Sequence, residues 1–129
     1  MKYAIDTSVL VDVLRGFEPA VELIERLAQE EVDLVSSYVI RTEVLAGMRP
    51  GEERKTRSLL NLVEWLPVGE PESEAAGALG RHVLPANAGV DTPDILLGEL
   101  AQRTGADVLT TNVRHFRDMF PGIRAPYSY

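Results

Sequence analysis

The chain has 129 residues, 45% of them apolar, a net charge of −7 and no cysteine. This length and composition predict a single domain over residues 1–129, and the lack of cysteine excludes disulfides, thiolate zinc sites and cysteine nucleophiles. No apolar run approaches a membrane span, and Asp6 comes too early for a signal-peptide core, so we expect a soluble, cytoplasmic protein with no membrane partner.

Short apolar runs alternate with amphipathic segments along the chain, which predicts strands and helices in turn. Gly16 and Pro50-Gly51 end helices, whereas Ser36-Ser37 supplies N-cap chemistry and Gly105 a C-cap. This alternation predicts an α/β domain, a three-layer α/β/α arrangement around a short-stranded central parallel sheet. The predicted order is a strand at 2–5, helices at 9–14 and 19–29, a strand at 34–35, helices at 38–48 and 52–62, a candidate strand at 63–68, helices at 72–84 and 92–104, a strand at 107–110 and a short helix at 112–118.

Four polar residues stand where a predicted strand or helix meets a turn. Asp6 and Asn112 lie just past strands, whereas Glu43 and Asp94 lie in helices that start from the same edge of the sheet. Ligands of open parallel sheets gather beyond the carboxyl ends of the strands. Buried carboxylates are usually paired or bound to metal, and oxygen ligands suit Mg²⁺ or Mn²⁺. The pattern therefore predicts a small acidic pocket with a divalent ion.

Two of the four residues have local explanations that compete with metal binding. Asp6 precedes an apolar helical run, so an N-cap role is as well supported as a ligand role. Glu43 lies in mid-helix, where a solvated side chain or an ion pair with Arg41 or Arg49 is the ordinary interpretation. Taken alone, Glu43 favours that ordinary interpretation.

The other two residues also have plausible capping roles. Asp94 suits the first turn of a helix capped by Thr92, although Asp91 competes for the same role. Asn112 resembles the N-cap of the short helix that follows it. Only the shared position of all four residues at one sheet edge favours the pocket.

Other residue types give weaker signals. His82 and His115 lack metal-ligand spacing and are interpreted as surface or packing residues, and no glycine-rich phosphate loop or nucleophile elbow is present. The negative charge counts against nucleic-acid binding, although nearly all cations are arginines, which suit phosphate contacts. The aromatic side chains are expected in the core or an interface rather than in a base-stacking platform: Trp65, Phe116, Phe120, Tyr127 and Tyr129.

Four stretches in order resemble the motifs of the PIN-domain family. Asp6-Thr7-Ser8-Val9-Leu10 resembles the opening motif, and residues 40–47, with Glu43, are similar to the second. Asp94-Ile95-Leu96-Leu97-Gly98 matches the third motif and residues 109–116, with Asn112, the fourth. The closing segment is similar to the tails of VapC-type toxins, so the resemblance covers essentially the whole chain.

The resemblance implies a metal-dependent endoribonuclease, the toxin of a toxin–antitoxin pair. Asp6, Glu43 and Asp94 would be the acidic ligands of Mg²⁺ or Mn²⁺, and Asn112 would complete the catalytic set. Ser8 replaces the more usual asparagine. The neutral Asn112 stands where many members have a fourth acid, which leaves the number of ions open. Arg114 is a candidate phosphate contact, with a surface arginine as the alternative.

The resemblance also implies partners, namely an RNA substrate, a cognate antitoxin and a second copy of the chain in a homodimer. Two other functions remain as alternatives at this point. The first is a non-catalytic PIN-like module that binds RNA or protein. The second is a phosphohydrolase that uses the same metal pocket on small phosphate esters.

Overall fold

Four short parallel strands and seven helices make up the fold, and the computed structural model describes residues 1–129. The strands are β1 (Lys2–Ile5), β2 (Asp33–Ser37), β3 (Glu64–Leu66) and β4 (Asp107–Leu109). The helices are α1 (Thr7–Leu14), α2 (Glu18–Gln29), α3 (Tyr38–Ala46), α4 (Glu53–Leu60), α5 (Glu70–Val83), α6 (Thr92–Thr104) and α7 (Val113–Phe116).

The strands form one parallel sheet in the order β3-β2-β1-β4. Ala4 of β1 lies opposite Val35 of β2 on one side and Val108 of β4 on the other. The chain moves from β1 to β2 to β3 and then returns past β1 to β4. Connections between parallel strands of one sheet are right-handed, so reversing the direction of travel across the sheet moves the connecting helices to the opposite face. As a result, α1 to α4 cover one face and α5 and α6 cover the other. The predicted three-layer α/β/α architecture is confirmed.

The predicted elements are present, with shifted ends. Ser37 caps α3 as predicted, since its hydroxyl accepts hydrogen bonds from the backbone of Val39 and Ile40. Gly105 adopts the left-handed conformation, with φ of 70°, and ends α6 as predicted. By contrast, α3 stops at Ala46 instead of reaching residue 48, and the helix predicted at 112–118 is only the four-residue α7.

A continuous apolar core holds the layers together. It contains 27 buried residues drawn from both faces of the sheet, and Ile5, Leu97 and Phe116 are among its fully enclosed side chains. Burial of each such side chain contributes about 2–3 kcal/mol relative to exposure. No helix has the length and apolar character that crossing a bilayer would require. The core packs around β1 and β4 up to their last residues. The polar groups that follow these strands are therefore attached to a rigid edge of the sheet.

Candidate functional site

A polar cavity opens at the carboxyl ends of β1 and β4, where the chain reverses its direction across the sheet. Such switch points separate the first turns of neighbouring elements and leave a crevice. The cavity has a volume of about 430 Å³ and contains all four predicted residues together with neighbours that were not predicted. Its walls consist of Asp6, Thr7, Ser8, Val11, Asp12, Glu43, Asp91, Pro93, Asp94, Thr111, Asn112, His115 and Tyr129.

Asp6 lies at the centre of this site and is only 4% exposed. Its backbone amide donates to Leu109 O at 2.9 Å, which continues the pairing between β1 and β4 by one residue. Its carboxylate accepts three hydrogen bonds, from Thr7 N at 2.8 Å, Ser8 Oγ at 3.3 Å and Thr110 Oγ1 at 2.7 Å. Asp6 is therefore the N-cap of α1 and also lines the cavity, so the capping role does not remove it from the predicted pocket.

Hydroxyl groups join the two strand ends and hold the Asp6 carboxylate. Thr110 is fully buried, and its Oγ1 accepts from Asn112 N at 2.9 Å while it donates to Asp6. Ser8 Oγ accepts from Thr111 N at 3.1 Å. Ser8, the departure from the family motif, thus connects the segment after β1 with the segment after β4.

Asn112 does not cap α7, contrary to the interpretation of that residue taken alone. Its side chain makes no capping hydrogen bond, and its backbone φ and ψ of −94° and 56° lie outside the usual N-cap region. The hydroxyl of Thr110 accepts a hydrogen bond from the backbone amide of Asn112. The Asn112 side chain is exposed and lines the cavity.

Asp94 reaches the cavity from the first turn of α6. The N-cap is Asp91 rather than Thr92, because Asp91 Oδ1 accepts from Asp94 N at 3.3 Å and Asp94 Oδ2 accepts from Asp91 N at 3.2 Å. This reciprocal pair resembles a capping box with two acids. It places two carboxylates side by side on the wall that faces Asp6.

The acidic groups of the cavity oppose one another's ionisation. Burial raises the pKa of Asp6, and the charge of Asp91 adds to the rise, although the hydrogen bonds to the Asp6 carboxylate offset part of it. Burial raises the pKa of Asp94 to about 7, and a side-chain hydrogen bond with Asp91 and the negative charges of Asp91 and Asp6 act in the same direction. The hydrogen bond from the backbone amide of Asp91 offsets part of this rise. The site is therefore short of positive charge.

Glu43 enters the cavity from α3 and forms an ion pair with neither Arg41 nor Arg49. It is exposed, and its Oε1 accepts a hydrogen bond from Thr7 Oγ1 at 2.7 Å. The contact turns the carboxylate towards the end of β1. Glu43 is therefore solvent-exposed, as the ordinary interpretation expects, and at the same time part of the cavity wall.

His115 is the main cavity residue that sequence reasoning missed. Its Nδ1 lies 3.0 Å from Asp94 Oδ2, but the contact does not have hydrogen-bond geometry, so this buried nitrogen has no hydrogen-bond partner. The interpretation of His115 as a surface or packing residue was therefore incomplete, whereas His82 is exposed on α5. The position of His115 in the short helix predicted after Asn112 was the available signal, because one helical turn keeps it close to the cavity that Asn112 lines.

Two tyrosines at the rim were also assigned no role in the site by the sequence. Tyr127 and Tyr129 both donate their phenolic hydrogens to Asp12 Oδ2 of α1, at 2.7 and 2.5 Å. Burial raises the pKa of Tyr127, and the hydrogen bond to Asp12 raises the pKa of Tyr129, so both phenols stay protonated at neutral pH. Tyr129 is 79% exposed and therefore not a core residue.

The donor set of the cavity suits a hard divalent cation. Asp6, Glu43 and Asp94 present carboxylate oxygens, and the raised pKa values of Asp6 and Asp94 are those of buried acids that lack a neutralising charge. The carboxylates do not converge into a closed site of three or more protein ligands. Mg²⁺ tolerates this arrangement because it keeps several waters and needs few protein ligands.

Comparisons with known proteins agree on one family. The PIN domain model matches residues 3–119 of the chain. The chain is 37% identical over 123 residues to "Ribonuclease VapC19" of Mycobacterium tuberculosis, a match that covers 95% of this chain and 98% of the relative.

Solved structures with the same fold come from several bacteria. A toxin–antitoxin complex from Klebsiella pneumoniae aligns with a TM-score of 0.81 at 23% identity and covers 98% of this chain and 99% of the other. VapBC2 from Rickettsia felis, bound to a DNA fragment from its promoter, aligns with a TM-score of 0.73 at 18% identity, over 93% and 94% of the two chains. FitAcB from Neisseria gonorrhoeae aligns at 0.76 with 21% identity, over 98% and 99%.

Proposed function

Because the chain belongs to the PIN-domain family, we propose that it is a metal-dependent endoribonuclease that hydrolyses RNA phosphodiester bonds and acts as the toxin of a toxin–antitoxin pair. The near-full-length similarity to a protein named as a ribonuclease supports the reaction class. The single structural observation that carries the proposal is the acidic cavity at the switch point of the sheet, whose walls include Asp6, Glu43 and Asp94.

We assign the metal-ligand role to Asp6, Glu43 and Asp94, with Mg²⁺ or Mn²⁺ as the ion. When bound, such an ion supplies a water of lowered pKa and stabilises charge on the attacked phosphate. Asn112 offers a neutral oxygen at the same cavity, which supports one strongly held ion and leaves a second site weak. Asp6, Glu43, Asp94 and Asn112 together form the proposed catalytic set.

The surrounding residues hold these carboxylates in place before the substrate arrives. Thr110 and Ser8 point hydroxyl hydrogens at Asp6, and Thr7 points one at Glu43. Each hydrogen bond fixes the rotamer of a carboxylate side chain in the folded protein. The side chain therefore loses less conformational entropy when the ion binds. Pre-organised groups of this kind avoid reorganisation during the reaction.

Removal of divalent metal tests the proposal directly. Purified protein should cleave a mixed RNA substrate in Mg²⁺ or Mn²⁺, lose all detectable cleavage in EDTA, and regain it when Mn²⁺ is added in excess. The measurement is the initial rate of RNA fragment formation on a sequencing gel.

Three outcomes would contradict the proposal. Cleavage that persists in EDTA would exclude the metal. Binding of RNA without cleavage in Mn²⁺ would favour a non-catalytic binding module. Turnover of small phosphate esters with RNA left intact would favour the phosphohydrolase alternative.

We further propose that the protein works in the cytoplasm, on cellular RNA, with a cognate antitoxin and as a homodimer. Exposed apolar side chains give it surface that protein partners can cover, namely Tyr38, Leu62, Val68 and Leu84. Sedimentation equilibrium should give twice the mass of one chain, and a small protein encoded beside the gene should suppress cleavage when added in equal amount. A monomeric mass would remove the homodimer, and undiminished cleavage would remove that antitoxin.

A further inference from the structure

The rim of the acidic cavity carries an aromatic cluster formed by Phe17, Tyr127 and Tyr129. The ring centroids of Phe17 and Tyr129 are 5.1 Å apart, those of Phe17 and Tyr127 are 5.6 Å apart, and the two tyrosines meet edge to face at 6.2 Å. Both phenols donate to the same oxygen of Asp12. The cluster therefore fixes the tail against α1 and sets the orientation of each ring.

Tyr129 is the member of this cluster that faces both the cavity and solvent. It lines the cavity, its hydroxyl lies 3.4 Å from Thr111 Oγ1 in hydrogen-bond geometry, and 79% of the residue is exposed. A large aromatic side chain that is held in place but left mostly in water contributes little hydrophobic stabilisation to the fold. Its exposed surface is available to a ligand of the cavity.

The charge of the cavity limits how a polyanion can be held there. No lysine or arginine lines it, whereas Asp6, Asp12, Glu43, Asp91 and Asp94 all do. A bound cation can neutralise the charge of the phosphate that is cut, but it makes no contact with the neighbouring nucleotides. Stacking of a base on an aromatic ring is the uncharged contact that single-stranded nucleic acids use, because every base has a flat face.

We propose that the ring of Tyr129 stacks on an RNA base next to the phosphate that enters the acidic cavity, and so positions the strand for cleavage. This inference rests on the proposed ribonuclease function and adds a substrate-binding residue to it. Phe17 and Tyr127 act as positioning residues, since their rings pack against the Tyr129 ring and need no contact with RNA. The structure thus assigns the tail a part in substrate binding.

The test compares Tyr129→Ala with the matched variant Tyr129→Phe. Loss of one stacked base corresponds to about a 10-fold rise in KM for RNA, because stacking contributes equally to the ground and transition states. The kcat of Tyr129→Ala should change far less than its KM. Tyr129→Phe keeps the ring and its contact with Phe17, so its KM should stay within about 3-fold of the wild type, well below the 10-fold effect of a lost stack.

An abasic series identifies the stacked position. Single-nucleotide abasic sites are moved along a defined RNA on both sides of its cleavage site. At one position the abasic RNA should raise the KM of the wild type to that of Tyr129→Ala and leave the variant unchanged. Equal KM values for wild type and Tyr129→Ala on intact RNA would overturn the inference.

A binding measurement separates this inference from the function on which it rests. RNA with 2-aminopurine at the identified position, or at each position in turn, is titrated with protein in EDTA, where no cleavage is expected. Quenching by the wild type and Tyr129→Phe but not by Tyr129→Ala supports stacking whether or not RNA is cut. Equal quenching by all three proteins contradicts it, and thermal unfolding of each variant checks that the tail change leaves the fold intact.

Discussion

Replacing Asp6 by asparagine should lower the rate of RNA cleavage by about 10³-fold or more. The expectation corresponds to about 4 kcal/mol of lost transition-state stabilisation, since each tenfold in rate is about 1.4 kcal/mol. Asp6 is the most enclosed carboxylate of the cavity, and the substitution removes its charge with almost no change in volume. The asparagine amide also replaces one acceptor oxygen of Asp6 by an NH₂ donor. The hydroxyl groups of Ser8 and Thr110 donate to the Asp6 carboxylate, so one side of the new amide no longer matches them.

The measurement is the initial cleavage rate at saturating Mn²⁺, with Asp33→Asn as the matched control. Asp33 begins β2 at the amino edge of the sheet and is exposed, so the control makes the same charge change far from the cavity. It should retain wild-type activity. A fully active Asp6→Asn protein with a normal unfolding curve would contradict the assignment of Asp6.

Replacing Asp94 by asparagine should abolish most cleavage and, at the same time, stabilise the metal-free fold at alkaline pH. The pKa of Asp94 is raised to about 7 in the folded chain, so its ionisation opposes folding. A group with a raised folded pKa contributes its stability fully below the unfolded value near 4 and loses it as pH rises through about 7. Asparagine resembles the protonated acid, because it can still donate to Asp91.

The size of the stability effect follows from the pKa shift after allowance for solvent. The cavity is open to water, which screens Asp94, so the full shift is discounted to about 1–2 kcal/mol. In a domain of this size that free energy corresponds to about 3–10 °C in Tm. The variant should unfold at a higher temperature than the wild type at pH 8 in EDTA, and at the same temperature at pH 4.

Two controls make this prediction specific to the cavity. Glu70→Gln neutralises an exposed acid in the first turn of α5, where the charge favours the helix, and should give no gain in Tm. Mn²⁺ should raise the Tm of the wild type at pH 8 but not that of Asp94→Asn. A variant less stable than the wild type at pH 8 would show that the charge of Asp94 is already compensated in the fold.

Local chemistry was enough to predict most of the fold. The buried run of β1, the serine cap of α3 and the glycine end of α6 depend on residues close in sequence, and all three were predicted. The four residues proposed for the site were also expected at one edge of the sheet, and they line one cavity there: Asp6, Glu43, Asp94 and Asn112. That edge follows from the direction of parallel strands, which the alternating pattern already implies.

The remaining features depend on competition among neighbouring polar groups or on contacts between distant residues. Asn112 makes no capping hydrogen bond to α7, and Asp91 rather than Thr92 caps α6 because it exchanges hydrogen bonds with Asp94. The attachment of Tyr129 to Asp12 joins residues 117 positions apart. No local pattern marks such a pair, so the tail could not be assigned to the cavity without the structure.

The bond from Thr110 to Asp6 also sets the stage of protein synthesis at which the cavity can form. The two residues are 104 positions apart, and the cavity exists only when the ends of β1 and β4 meet. At about 5–20 residues per second, a ribosome needs about 5–20 s to travel from one to the other. A nascent chain that does not yet contain Thr110 therefore lacks the complete cavity, and under the proposed function it gains its cleavage site only after β4 has been made.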